Sequence, residues 1–98
     1  MVEVRGDLDL ASAPALRTAA YALIQSGTRH LALDLRLCGF VDSFGLGTLV
    51  AILKRVRTHD GELAVIADEP RVRRVFELVE LTATLGVVAS LKQLPPTI

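Results

Sequence analysis

Two kinds of hydrophobic pattern alternate along the chain. Val2 and Val4 are flanked by charged residues, residues 31–37 alternate between apolar and mixed positions, and residues 62–67 are almost entirely apolar. A period of two is typical of a half-buried strand, and a short apolar run is typical of a strand buried on both faces. These segments predict three strands, with the third in the middle of a sheet.

The segments between the strands carry apolar residues three and four positions apart, which predicts amphipathic helices. The first helix is predicted from about residue 14 to residue 25, with Ser12 as its N-cap. The second begins at the Asp42-Ser43 junction, and Asp68 and Pro70 start the third. The residues of the third helix expected to face the core are Val72, Val75, Phe76 and Val79.

The resulting order is β-α-β-α-β-α, followed by a short strand within residues 85–89 and a stub helix over residues 90–94 that Pro95-Pro96 ends. Strands that alternate with helices of this length predict an α/β fold. We expect a small, mostly parallel (mixed) sheet of three to five strands, with the helices packed against it. The length predicts one domain over residues 1–98.

In open parallel sheets, functional sites gather beyond the carboxyl ends of the strands. The turn of residues 7–9, the loop of residues 38–43 and the turn of residues 67–70 each follow a predicted strand. We therefore expect these three connections at one edge of the domain, with Asp9 within reach of Asp42 and Ser43.

Composition narrows the class of function. The eleven basic and eleven acidic residues cancel and form no Lys/Arg cluster, so no nucleic-acid partner is predicted. The single cysteine, Cys38, cannot form an internal disulfide, which favours a reducing compartment. No signal peptide is recognisable, and no uncharged stretch approaches the roughly 18 residues of a membrane helix. We predict a cytoplasmic protein without membrane contact.

Residues 42–47, with the sequence DSFGLG, form the segment most indicative of function. They place a hydroxyl beside a carboxylate at a helix N-terminus, where unpaired N–H groups and the helix dipole favour negative charge. Ser43 can therefore be a helix cap, a catalytic nucleophile or a phosphorylation site. Asp42 is able to act as the cap instead, and Phe44 lies outside the inward stripe, which favours a contact with a partner.

The nucleophile role lacks supporting groups. Val41 occupies the first glycine position of the G-x-S-x-G elbow, and His59 lies more than about 20 Å along the same helix at 1.5 Å per residue. His30 begins a strand at the far edge of the sheet. Gly45 and Gly47 match neither phosphate-loop pattern, and one cysteine with two separated histidines lacks metal-ligand spacing. We therefore predict no enzyme activity, no cofactor and no metal.

The order and spacing of several motifs resemble the STAS domain family, whose free-standing members are bacterial anti-sigma factor antagonists. Residues 6–9 (GDLD) and 12–17 (SAPALR) resemble the family's G-E-[IL]-D…A-P-x-L-R opening. Residues 33–35 resemble one of its strands, residues 42–47 its signature loop and residues 72–76 its third helix. The resemblance covers nearly the whole chain, and the signature loop is its most specific part.

The resemblance implies partner switching. The unphosphorylated antagonist binds an anti-sigma factor that is also an ATP-dependent serine kinase, and this binding releases a sigma factor. Phosphorylation of Ser43 then releases the antagonist, and a serine phosphatase resets the cycle. The residues implied for partner binding are Asp9, Asp42, Ser43, Phe44, Gly45, Gly47 and Thr48.

The chain departs from the family at three places, one of which is Val79-Glu80 in place of a Thr-Gly that the family often carries. Phe44 stands where the family usually has a small residue, which motivates an alternative role as a non-switching STAS adaptor or scaffold subunit of a transport or signalling complex. The family usually has a further strand before residues 6–9, and this N-terminal first strand is expected to be missing here. The neighbouring strand edge is then open to pairing, which predicts a weak homodimer.

Overall fold

A computed structural model describes residues 1–95, and its four strands form one parallel sheet whose strand order follows the chain order. The strands are β1 (Val2–Arg5), β2 (His30–Leu37), β3 (Glu62–Ile66) and β4 (Val87–Val88). The helices between them are α1 (Ala13–Gln25), α2 (Ser43–Thr58) and α3 (Pro70–Leu78). The predicted α/β class and the predicted order of elements are confirmed.

β2 and β3 occupy the middle of the sheet. β2 pairs with β1 on one side and with β3 on the other, from His30 opposite Glu62 to Asp34 opposite Ile66. β4 contributes two residues that pair with the end of β3. The central position predicted for the third strand is confirmed, because β3 has a neighbour on both sides.

The chain after β4 differs from the prediction. In place of a stub α-helix, Leu91–Gln93 forms a single 3-10 turn. Ser90 makes no capping hydrogen bond through its side chain, and the Gln93 side chain accepts the Ala89 N–H at 2.6 Å. So short a segment forms too few helical hydrogen bonds to offset the cost of helix nucleation. Pro96, part of the predicted stop, lies outside the described residues.

One face of the sheet carries the main core. α1 and α2 pack against each other, and their inward residues share one buried cluster with alternate leucines of β2, namely Leu31, Leu33 and Leu35. α3 adds Phe76, which is fully buried. A buried leucine or phenylalanine stabilises a fold by about 1.5–3 kcal/mol, so this cluster holds the two helices firmly over the strands.

α3 begins at Pro70, which agrees with the predicted start, but it differs from the prediction at its other end. Glu69 is its cap, because the Glu69 carboxylate accepts the N–H groups of Arg71 at 2.8 Å and Val72 at 3.1 Å. At the other end the helix stops one residue before Val79, which is 44% exposed. The prediction that Val79 faces the core is wrong, because a side chain beyond the last helical residue no longer follows the helical stripe.

The opposite face of the sheet carries a buried charge. Asp34 is 2% exposed and is the only buried charged residue within residues 1–95. Arg36 donates to both of its carboxylate oxygens, at 2.9 Å and 2.8 Å, and adds its backbone N–H at 3.0 Å. These hydrogen bonds lower the pKa of the Asp34 carboxyl below its ordinary value. Asp34 is therefore a structural anion held within the sheet.

β1 is the outermost strand at one side of the sheet. Its register against β2 is irregular between Glu3 and Arg5, and these two side chains form an ion pair at 2.6 Å. Irregular register and charged side chains are common at strand edges that avoid pairing with other chains. The weak homodimer therefore stays a prediction, and these features oppose it.

Candidate functional site

The loops that follow β1 and β2 are joined into one unit at the carboxyl edge of the sheet. Leu8 and Val41, both buried, form an isolated parallel bridge between the loops. The Leu8 N–H donates to the Phe40 carbonyl at 2.8 Å, and the Asp42 N–H donates to the Leu8 carbonyl at 3.1 Å. The position of either loop therefore fixes the position of the other.

Asp42 uses its two carboxylate oxygens for two different elements. Oδ1 accepts the Gly45 N–H at 2.8 Å and thereby caps the N-terminus of α2. Oδ2 accepts the Leu10 N–H at 3.2 Å, which connects the helix start to the loop after β1. The prediction that Asp42 can act as the cap is confirmed, and its link to Leu10 is a contact that sequence patterns did not indicate.

Asp9 organises the entrance to α1. Its Oδ1 accepts the N–H groups of Ala11 at 3.0 Å and Ser12 at 3.1 Å. The Ser12 hydroxyl accepts the Asp9 N–H at 3.0 Å and donates to the Asp7 carbonyl at 2.7 Å. Ser12 occupies the N-cap position but makes no side-chain capping bond, so this prediction is wrong in its mechanism. The hydroxyl is already engaged by the preceding turn.

The two carboxylates lie on adjoining loops, as the strand order predicts. Asp42 bonds the backbone of Leu10, the residue directly after Asp9. The turn after β3, which contains Asp68, lies at the same edge because all the described strands are parallel. The expected gathering of the three connections at one edge is confirmed, and the two that carry Asp9 and Asp42 are in direct contact.

Ser43 is the first residue of α2, and its side chain is exposed. Because Asp42 provides the cap, the Ser43 hydroxyl is not needed to satisfy the helix N-terminus, and it makes no hydrogen bond to any residue of the described chain. It stands at the positive end of a sixteen-residue helix, where added negative charge is favoured. Of the three roles open to Ser43, capping is excluded.

Exposed apolar side chains surround this edge. Leu10 and Phe44 are 60% and 55% exposed, and both line a groove of about 460 Å³ between α1 and α2. Leu37 and Phe40, at the end of β2 and in the following loop, are also more than half exposed. Large apolar side chains concentrated in this way mark a surface that another molecule covers. Phe44 was predicted to be exposed, whereas Leu10 and Phe40 were missed.

The two glycines of the signature segment have different surroundings. A Cβ on Gly45 would collide with the Leu8 carbonyl oxygen and would come within 2.8 Å of the Leu8 Cγ. A Cβ on Gly47 would have no heavy atom within 4 Å. Gly45 thus permits the close approach of α2 to the joined loops, while Gly47 leaves an open surface. Thr48, one residue further, is half-buried and lines the same groove as Phe44.

The histidine on the same helix lies far from Ser43. His59 is the C-cap residue at the opposite end of α2, where its ring nitrogen lies 3.0 Å from the Arg55 carbonyl. Cys38 is buried, and burial raises the pKa of its thiol, which keeps it protonated. Within residues 1–95, no three His, Cys, Asp or Glu side chains cluster as metal ligands. No helix in the same range is long and apolar enough to cross a membrane.

We expect Asp42→Ala to lower the free energy of unfolding by about 1–2 kcal/mol, because the change removes the α2 cap and the link to Leu10 together. Urea unfolding followed by circular dichroism measures this loss. Asp68→Ala is the matched control, since Asp68 is exposed and lies at the same edge. Equal stability of the two variants would show that the Asp42 hydrogen bonds contribute nothing.

Comparison with known proteins places this site in context. The family model described as "STAS domain" matches residues 1–94. The chain is 35% identical to an anti-sigma-B factor antagonist of Staphylococcus aureus over 86 residues, which is 88% of this chain and 80% of that protein. The Staphylococcus epidermidis protein of the same name is 31% identical over the same coverage.

A solved structure is also similar to this chain. The crystal structure of an anti-sigma factor antagonist from Mycobacterium paratuberculosis is similar with a TM-score of 0.82 and 31% identity. The similarity covers 92% of this chain and 76% of that one.

Proposed function

Since the chain belongs to the STAS domain family, we propose that it is an anti-sigma factor antagonist controlled by phosphorylation of Ser43. In its unphosphorylated form it binds an anti-sigma factor and so frees a sigma factor. The observation that carries the proposal is the exposed Ser43 hydroxyl, which is left without an intramolecular role because Asp42 caps the helix.

The surroundings of Ser43 suit a phosphate acceptor. A kinase can reach an exposed hydroxyl without disturbing the fold, and modification breaks no hydrogen bond within the described chain. The N-terminus of α2 offers backbone N–H groups and a favourable dipole to the added anion. The hydroxyl also lies on an edge rich in exposed apolar side chains, so its modification alters a surface that a partner would cover.

The phosphate would act as a local change of charge. It adds about −1.5 to −2 charges directly beside the Asp42 carboxylate and next to the exposed ring of Phe44. A partner surface that packs on Phe44 would have to desolvate that charge, which is unfavourable in an apolar contact. The protein would leave its partner without any change of fold.

The partner we propose is an anti-sigma factor with ATP-dependent serine kinase activity, and a serine phosphatase would reverse the modification. The names of the relatives support an anti-sigma factor as the partner. The kinase and the phosphatase follow from the family resemblance of the signature loop around Ser43. The proposed role is regulatory binding in the cytoplasm, with no cofactor and no turnover of a substrate.

The test is phosphorylation by an anti-sigma kinase encoded beside this protein, with ATP, followed by intact mass and peptide mapping. We expect the wild type to gain one phosphate on Ser43, and Ser43→Ala to gain none. Ser90→Ala is the control, because Ser90 is another serine at the start of a helical turn and its side chain makes no capping bond. Phosphate on another residue, or none with a kinase that binds the protein, would refute the switch.

The exposed ring of Phe44 supports a second candidate, a STAS adaptor that does not switch. An aromatic side chain at this position is suited to a permanent contact, since it contributes a large apolar area at low cost in side-chain entropy. Co-purification separates the candidates. An ATPase related to histidine kinases would support the antagonist, and a transporter ATPase would support the adaptor.

A further inference from the structure

A second surface feature extends away from Ser43 along the seam between α1 and α2. The groove that Phe44 lines reaches Tyr21 at its far side, and a neighbouring groove of about 260 Å³ continues from Tyr21 to Arg55 and His59. Both grooves lie on the same two helices and share the Tyr21 ring. The fifteen residue steps from Phe44 to His59 correspond to about 22 Å at 1.5 Å per step. We call this combined feature the seam groove.

The two ends of the seam groove differ in chemistry. The end near Ser43 is apolar, with Leu10 and Phe44 more than half exposed. The middle and the far end carry Arg17, Arg55 and His59. Neither part of the groove is lined by an aspartate or a glutamate among the described residues. Because the whole chain has equal numbers of acidic and basic residues, this lining is a local excess of cations.

The Tyr21 ring contacts two guanidinium groups of the seam groove. The Arg55 guanidinium lies 4.4 Å and the Arg17 guanidinium 5.4 Å from the centre of the Tyr21 ring. Neither arginine forms an ion pair with a residue of the described chain. Cation–π contacts orient these two like charges around one ring without neutralising them. Each part of the seam groove thus presents one oriented guanidinium group to anionic side chains of a partner.

We propose that the seam groove binds an acidic amphipathic helix of a protein partner. An aliphatic or aromatic side chain of that helix packs on Leu10 and Phe44, and its carboxylates pair with Arg17 and Arg55. The length of the groove matches about four helical turns, and helices commonly bind in apolar grooves through residues spaced three and four apart. The inference goes beyond the proposed function, because it requires neither Ser43 nor a kinase.

The test uses a fluorescein-labelled, helix-stabilised 15-residue peptide with leucines on one stripe of one half and glutamates on the same stripe of the other half. Both orders of the halves are made, because either helix direction fits the groove. We expect saturable anisotropy binding for one order, with amide shift changes in the NMR spectrum at Tyr21, Phe44 and Arg55. The version with lysine in place of glutamate should bind about tenfold more weakly.

A matched pair of double variants decides where the peptide binds. Arg17→Glu with Arg55→Glu should weaken binding about tenfold or more, whereas Lys54→Glu with Arg57→Glu, exposed residues outside the groove, should change it by less than about threefold. The variant with Arg17→Glu and Arg55→Glu should also bind the lysine peptide more tightly than the wild-type protein binds it, because its groove then carries negative charge. Thermal unfolding by circular dichroism checks that both double variants are folded. If the variant with Arg17→Glu and Arg55→Glu is unfolded, the variant with Arg17→Gln and Arg55→Gln is used in its place.

Four results would overturn the proposal. Equal losses in the two double variants would indicate binding to net charge alone, and shift changes confined to other faces would place the peptide elsewhere. No saturable binding of either peptide order would leave the groove without this class of partner. Dodecanoate binding in place of the peptide would assign the groove to a small amphiphile. None of these outcomes depends on phosphorylation of Ser43, so failure here is distinguishable from failure of the proposed function.

Discussion

Gly45→Ala should destabilise the protein by about 3 kcal/mol, whereas Gly47→Ala should leave its stability unchanged or raise it by up to about 1 kcal/mol. The added methyl group at residue 45 would collide with the backbone carbonyl of Leu8, which is fixed by its hydrogen bond from Asp42. Overpacking against an immobile group falls at the upper end of the usual 1–3 kcal/mol. The methyl group at residue 47 meets only solvent, and alanine favours a helix over glycine by about 1 kcal/mol.

Urea unfolding followed by circular dichroism measures both variants, which carry the same chemical change two residues apart in one helix. A similar loss in both variants would mean that helix propensity, and not the contact with Leu8, governs this segment. Gly47→Ala has a further use, because its fold should be intact while its surface is altered. A loss of binding by Gly47→Ala to an anti-sigma factor would therefore locate the partner on the open side of α2.

Phosphorylation of Ser43 should weaken binding to the anti-sigma factor by about 100-fold, yet change the free energy of unfolding by less than about 1 kcal/mol. The added charge would have to be desolvated against the apolar partner surface, and a loss of about 2–3 kcal/mol from a complex corresponds to about two orders of magnitude in affinity. Within the free protein, the helix dipole contributes about 0.3–1 kcal/mol in favour of the phosphate and offsets part of the repulsion from Asp42.

Isothermal titration calorimetry with the anti-sigma factor and an ATP analogue that is not hydrolysed measures the affinities. Ser43→Ala should bind like the unphosphorylated wild type, and Ser43→Asp should bind with intermediate affinity because it adds a single charge. Similar affinity of the phosphorylated and unphosphorylated proteins would refute the switch. Unfolding of the phosphorylated protein at much lower urea would instead point to loss of fold as the mechanism.

Local signals in the sequence were sufficient for the order of elements and for some caps. Asp42 was predicted as a cap from its position before an apolar stripe, and the structure confirms it. Ser12 has an equally good local signal, yet its hydroxyl bonds to Asp9 and Asp7. Two polar groups compete for the same few N–H groups at that turn, and a pattern of residue types does not show which one prevails.

The sequence pattern could not predict contacts between segments that are distant along the chain. The bond from Leu10 to Asp42 joins residues 32 positions apart, and neither residue type requires the other. Arg17 and Arg55 meet at Tyr21 only because α1 and α2 pack side by side. The pattern also gave no reason to distinguish Gly45 from Gly47, because that difference depends on which face of α2 lies against the loop after β1.

The Leu8 peptide group helps to hold Ser43 in place. Its carbonyl receives the Asp42 N–H and also lies against Gly45, while its N–H is bound by the loop after β2. The start of α2 is therefore held in position by the loop after β1 as well as by the loop after β2, to which it is directly connected. Fraying of β1 would loosen the loop that contacts the start of α2, so the stability of this edge strand contributes to how rigidly Ser43 is presented to an enzyme or a partner.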